Sequence, residues 1–275
     1  VTQPTGITAD ISARTVTVTG VTAQSRAYNG TRTAAISISG AQLNGLVGND
    51  QTALSNTSAS GTFADKNVGT TKQVQVSGLT LTGTSAANYT LVQPVTTADI
   101  TPKRLDVVNI TASNKTYDRS TSATALLALG TAALDGKVSG DDVTLSTTGA
   151  LATFADRNAG IGKTVTIAGL TISGNDAGNY TLFQPTTTAD ITPKALTVTG
   201  ITAANKTYDG SVSATLNTVS AAFSGIIGAD NVTIVKTSIT GQFSDRHAGN
   251  GKTVSIAGVE KSGTEAGNYS ITQPT

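Results

Sequence analysis

Three copies of one motif series fill this chain, and a fixed long period constrains the fold more than any other feature. Asn88-Tyr89, Asn179-Tyr180 and Asn268-Tyr269 recur at steps of 91 and 89 residues (88 to 179, 179 to 268), and Gln93-Pro94, Gln184-Pro185 and Gln273-Pro274 keep the same steps. A second series, Tyr28-Asn29-Gly30, Tyr117-Asp118-Arg119 and Tyr208-Asp209-Gly210, steps by 89 and then 91 (28 to 117, 117 to 208). One insertion and one deletion therefore offset each other inside the repeats. The expected organisation is the end of a preceding repeat at 1–9, then modules at 10–98, 99–189 and 190–275. Residues 1–5 and 271–275 both carry Gln-Pro, so both ends are expected to be cut from a longer array.

Period-2 alternation dominates inside the repeats. Thr15-Val16-Thr17-Val18-Thr19-Gly20, Leu196-Thr197-Val198-Thr199-Gly200 and Val165-Thr166-Ile167-Ala168-Gly169-Leu170 put aliphatics on one face and hydroxyls or small residues on the other. That pattern marks half-buried antiparallel strands, which β-branched Thr and Val favour. Short strands between Gly, Asn and Asp turns predict an all-β chain of three tandem immunoglobulin-like β-sandwich modules in an extended rod. The alternative is a β-grasp-like module whose helix would be the Ala-rich stretch at 122–134; its counterpart in the third repeat carries Thr, Asn and Ser, so the stretch reads as strand and loop.

The joints are short. Ala98-Asp99-Ile100-Thr101-Pro102-Lys103 and Ala189-Asp190-Ile191-Thr192-Pro193-Lys194 contain a proline, which lacks a ladder donor and fixes its own φ. The first counterpart, Ala9-Asp10-Ile11-Ser12-Ala13-Arg14, has none, so two joints are expected to be stiffer than the first.

Chemistry is sparse. The chain has no cysteine and one histidine, so disulfides, thiolate metal sites and nucleophilic triads lack their parts. His247 stands where the other repeats carry Asn67 and Asn158, which favours a solvated turn residue over a catalytic one. The expectation is no enzyme and no cofactor. With 18 basic and 17 acidic residues spread thinly, no face is basic enough for nucleic acid, and no apolar run is long enough to cross a membrane as a helix. Calcium needs six to eight oxygens. The loops with Asn49-Asp50, Asp141-Asp142 and Asp230-Asn231, and the joint residues Asp99 and Asp190, offer at most a weak site.

All six tyrosines belong to the two repeated series: Tyr28, Tyr117 and Tyr208, then Tyr89, Tyr180 and Tyr269. Their recurrence points to structure. The later three resemble the tyrosine corner of immunoglobulin-like sandwiches, whose hydroxyl bonds the backbone a few residues upstream. Asp65, Asp156 and Asp245 follow Phe-Ala or Phe-Ser at the head of a turn, where a carboxylate accepts backbone N–H groups. Lys115 and Lys206 have two readings. They are surface lysines beside a turn, or they meet Asn179 and Asn268, with Asp156 and Asp245 handling protons, in an isopeptide crosslink that releases ammonia. Arg26 holds the lysine position in the first repeat, and arginine cannot do that chemistry.

Asn114-Lys115-Thr116-Tyr117-Asp118, Asn205-Lys206-Thr207-Tyr208-Asp209-Gly210, the Phe-Ala/Ser-Asp turns, the Asn-Tyr runs and the Ala-Asp-Ile-Thr-Pro joints resemble the YDG-type repeats of very large bacterial adhesins of the filamentous haemagglutinin kind. The resemblance covers essentially the whole chain. It implies an exported, cell-surface segment, a stalk or spacer in adhesion or biofilm contacts, with no catalytic residues to carry over. Partners are then neighbouring modules of the same chain, which is expected to be monomeric. The rival reading is a module that binds host or cell-surface glycan or protein directly through the variable loops 43–57, 134–142 and 223–231.

Overall fold

The computed structural model describes residues 2–274; Val1 and Thr275, the outermost residues of the expected first and last segments, lie outside the described residues. The chain is all-β. Among the described residues helical structure is limited to short 3-10 turns, one of them Thr124–Leu126 within the Ala-rich stretch, which otherwise forms the strand Leu127–Ala128 and reaches into Ala133–Asp135. The helix that a β-grasp module requires is not formed there.

Each repeat opens with a three-stranded leading sheet. In the first repeat Arg14–Thr19 lies between Tyr89–Val92, parallel, and Gln42–Asn44, antiparallel. Lys103–Val108 and Lys194–Thr199 take the same central position in the next two repeats. Alternation sets the facing: Val16 and Val18 are buried while the neighbouring threonines are exposed. A trailing sheet follows, in the order Arg26–Ala27, Val95–Thr101, Gly69–Ser77, Ser60–Phe63, Thr33–Ala34. Here too one pairing is parallel, with Ile100 opposite Arg26. The alternating strand Arg14–Thr19, read from sequence as antiparallel, is thus antiparallel to one neighbour and parallel to the other. In the leading sheet a late strand, Tyr89–Val92 in the first repeat, returns beside the first in the same direction, which a long connection permits and a hairpin does not.

Gly20 illustrates how tight the turn after the first strand is. It sits at φ +77°, and a Cβ there would lie 2.1 Å from the Gly40 carbonyl oxygen. Gly200 repeats the arrangement at φ +75°, and Asn109, at φ 63°, takes the left-handed position in the second repeat.

The chain packs as two compact units that do not coincide with the sequence repeats. One takes in the chain up to Asp106 together with Leu134–Ser146 and Thr171–Phe183; the other takes in Val107–Ala133, Thr147–Leu170 and the chain from Gln184 onward. In the first unit a buried cluster joins Tyr28, Phe63, Val74 and Ile100 of the first repeat to Leu105, Val143 and Tyr180 of the second. A smaller cluster of Val18, Val21, Val76 and Leu79 belongs to the first repeat alone. The interior is thus divided between a core private to one repeat and a core shared with its successor. In the second unit the equivalent positions, Tyr117, Phe154, Val165, Ile191, Leu196, Val232 and Tyr269, are buried in the same way.

Leu105 contributes its side chain to a core built largely from the preceding repeat and is fully buried. Leu105→Ala is expected to cost about 2 to 5 kcal/mol in urea unfolding, the usual range for a buried leucine. A cost below about 1 kcal/mol would contradict the shared core.

Candidate functional site

The most chemically organised place in each unit is the joint where two repeats meet. It is built from the turn after the first tyrosine series, the Phe-Ala-Asp turn, and the next repeat's Asp loop and Asn-Tyr run. In the first unit the Tyr28 and Tyr180 hydroxyls both donate to Oδ2 of Asp141, at 2.8 and 2.6 Å. The two rings meet edge to face, with centroids 5.4 Å apart. Lys66 pairs with Oδ1 of the same carboxylate at 3.1 Å and with Asp176 at 2.8 Å. The Tyr180 oxygen also accepts from the Val138 backbone N–H at 2.9 Å, so a single phenol ties loop, carboxylate and strand together. Beside it, the Asn179 carbonyl oxygen accepts from the Val68 N–H at 2.9 Å, and its amide donates to Asn67 at 3.2 Å.

The second unit repeats this arrangement. Tyr117 and Tyr269 donate to Oδ2 of Asp230 at 2.9 and 2.6 Å, with rings again 5.4 Å apart. Asn268 accepts from the Ala159 N–H at 2.8 Å and donates to Asn158 at 3.2 Å. The cation differs. Arg119, at the position held by Gly30 and Gly210, adopts a left-handed φ of 67° and places Nε 3.0 Å from Oδ1 of Asp230. An arginine tolerates that strained backbone here because its guanidinium reaches a buried carboxylate.

Electrostatics follows from burial. Desolvation alone would raise Asp141, yet the hydroxyls of Tyr180 and Tyr28 and the Lys66 ammonium together hold it below the ordinary 3.8. Asp230 is likewise held down against desolvation by Tyr269, Tyr117 and the nearby guanidinium of Arg119. The phenols move the other way: burial, then the Asp partner, push Tyr180 and Tyr117 up to about 12. A buried carboxylate that accepts from two hydroxyls and pairs with a cation is a fixed anchor.

The remaining candidate residues lie as follows. Tyr89 donates to Asp50 at 2.5 Å and accepts from the Val47 N–H at 2.8 Å, an arrangement like that of Tyr180 with one tyrosine fewer. Tyr208 is 62% exposed. The later tyrosines do bond backbone upstream, but 42 residues away, not within a local corner. Asp65, Asp156 and Asp245 each accept the N–H two residues on, at 2.7 to 2.8 Å, and each pairs with a lysine, Lys72, Lys163 or Lys252. Lys115 bonds Asp118 and the Ser120 and Ser122 carbonyls, and Lys206 bonds Asp209 and Ser211. Lys206, Asp245 and Asn268 therefore hydrogen-bond to three different sets of partners. Asp141 and Asp230, read from sequence as possible calcium oxygens, are engaged by tyrosines, and among the described residues no three His, Cys, Asp or Glu side chains gather as a metal site. Asp99 and Asp190 accept the N–H groups of Thr71 and Gly162. His247 is exposed on its turn.

Sequence reasoning missed Asp141, Asp230, Lys66 and Arg119 as joint residues. The available signal was one aspartate per repeat, Asp50, Asp141 and Asp230, kept in three otherwise variable loops.

The chain matches a known protein family. The YDG domain matches residues 12–98, 101–189 and 192–275. No curated protein and no solved structure matches the chain.

Asp141→Ala leaves two buried hydroxyls without an acceptor and is expected to cost roughly 3 kcal/mol or more in urea unfolding, with Asp141→Asn costing less because an acceptor remains. The joints also set a pH window. Carboxylates held below 3.8 stabilise the fold above that value and lose their contribution as pH falls through the lowered values. Phenols raised from 10.0 to about 12 contribute below pH 10 and lose that contribution between 10 and 12. Melting temperature followed against pH should therefore be flat near neutrality and fall on both sides.

Proposed function

We propose that this chain, which belongs to the YDG domain family, is a structural stalk segment of a secreted bacterial surface adhesin, holding a binding region away from the cell and bearing load. The one observation that carries this reading is the joint. Successive repeats share a buried core and a carboxylate bonded by tyrosines from both, Tyr28 and Tyr180 on Asp141, then Tyr117 and Tyr269 on Asp230. Such a joint resists separation of neighbouring repeats without needing a disulfide. The finer architecture belongs to the same proposal: immunoglobulin-like sandwich modules in an extended, semi-rigid array, placed at the bacterial cell surface. Its chemistry suits a spacer, with the joint aspartates and five of the six tyrosines, Tyr28, Tyr89, Tyr117, Tyr180 and Tyr269, committed to internal partners.

The rival, direct recognition of glycan or protein through loops 134–142 and 223–231, has less to draw on. Those loops carry Val138 and Asp141, then Ile227 and Asp230, and within each unit they are engaged in the joint. Loop 43–57 holds the exposed Val47 and keeps the rival testable.

Two measurements decide. Applied to glycan arrays and host-cell surfaces, the three-repeat chain is expected to give no saturable binding, and saturable binding would favour the recognition reading. Pulled end to end, the chain is expected to unfold in steps whose force drops when Asp141 is replaced by Ala. Unchanged force would remove the load-bearing role from the joint.

A further inference from the structure

The two joints use the same tyrosine–aspartate core but close with different cations, and the Asp loops that enter them differ to match. The loops agree at their ends. The N–H groups of Asp50, Asp141 and Asp230 bond the carbonyls three residues back, those of Val47, Val138 and Ile227, at 3.1 to 3.2 Å. Inside the turn the glycine changes place. Val47-Gly48-Asn49-Asp50 and Ile227-Gly228-Ala229-Asp230 carry it two residues before the aspartate, at φ +54° and +55°, whereas Val138-Ser139-Gly140-Asp141 carries it one residue before, at φ +87°. Ser139 stays outside the left-handed region. Two kinds of turn therefore present the same aspartate.

The trailing side of each joint is matched to its own turn. In the first joint a Cβ at Gly30 would lie 2.8 Å from Val138 Cγ1, so that face has no room for a side chain at 30, and the cation is Lys66. In the second joint the equivalent position is Arg119, whose guanidinium lies against the turn: a Cβ at Gly228 would fall 2.1 Å from its Nη1 and 3.4 Å from its Cζ. A free arginine would swing away from such a clash. This one is held, because Oδ1 of Asp230 is buried, receives no hydrogen bond among the described residues, and has Arg119 Nε 3.0 Å away as its ion-pair partner. Moving the guanidinium aside strands a buried carboxylate oxygen.

We propose that Arg119 selects the repeat that docks on the second repeat's trailing face: it admits a turn with glycine two residues before the joint aspartate and refuses a turn with a side chain there. Selection of this kind needs a repulsion as well as an attraction. The attraction is Arg119 to Asp230, and the repulsion is the guanidinium against any Cβ at 228. The tyrosines, aspartates and asparagines recur in both joints, so they hold like surfaces together without deciding which repeats meet. Misassembly between like units is a characteristic failure of repeat proteins. The turn that Arg119 refuses, Val138-Ser139-Gly140-Asp141, belongs to its own repeat. Second repeats of two different chains are thereby kept from joining through this face, while the third repeat, with Gly228, is accepted. The selectivity rests on the joint's geometry and stands apart from any adhesive role.

Turn grafts in the full chain test it. Residues 227–229 are replaced by Val-Gly-Asn, the sequence at 47–49, or by Val-Ser-Gly, the sequence at 138–140, and urea unfolding is followed by circular dichroism. Each graft brings its own glycine, so neither forces a side chain into the left-handed region, and both put valine at 227. With Arg119 in place, the Val-Gly-Asn chain should unfold close to the wild-type midpoint and the Val-Ser-Gly chain at clearly lower urea. In the Arg119→Gly background, which removes the guanidinium, the two grafted chains should unfold together. If the Val-Ser-Gly chain does not fold at all with Arg119 in place, Arg119→Gly should restore its folding. A Val-Ser-Gly chain no less stable than the Val-Gly-Asn chain with Arg119 in place would overturn the proposal. So would a Val-Ser-Gly chain that stays unfolded, or still unfolds earlier than its counterpart, in the Arg119→Gly background.

Discussion

A buried aspartate held by tyrosine hydroxyls from two successive repeats is the interaction on which the rest of the structure depends. Asp141 and Asp230 are among the few buried charged residues described, and a carboxylate removed from water is destabilising unless its oxygens are bonded. Satisfying each one takes the first tyrosine of one repeat and the second tyrosine of the next, together with a Lys or Arg. Once that requirement is met, the edge-to-face rings, the Asn-mediated backbone bonds and the surrounding leucines and valines fall into register. The carboxylate specifies which surfaces meet, and the apolar cluster around it supplies most of the favourable energy.

Much of the fold was legible because it is local. Alternating Val and Thr in Arg14–Thr19, or Val165 and Ile167 in Gly160–Ala168, report strand and facing directly. The Asp turns could be read because a carboxylate at Asp65 or Asp156 bonds an amide two residues away. Recurrence of every tyrosine marked those residues as architectural.

What the sequence concealed is which copy supplies the partner. Tyr28 has an Asp-Tyr pair in its own repeat, Asp50 with Tyr89, and another in the next, Asp141 with Tyr180, 113 residues from Tyr28 to that aspartate. Repetition makes the two candidates equivalent in pattern, and only tertiary packing distinguishes them. The same symmetry hid the parallel pairing of Tyr89–Val92 on Arg14–Thr19, since periodicity fixes facing and leaves strand direction open. Arg119 was hidden for a different reason. At a left-handed position it reads as a departure from glycine, and its value appears only once Asp230 is placed beside it.

The most direct test of the account is a double-mutant cycle on Tyr28→Phe and Asp141→Asn, measured by urea unfolding of the three-repeat chain. If a tyrosine of one repeat and an aspartate of the next form one joint, the two losses should be non-additive, with a coupling of about 1 to 2 kcal/mol. Losses that add within about 0.3 to 0.5 kcal/mol would contradict the joint, because residues without a shared interaction behave independently.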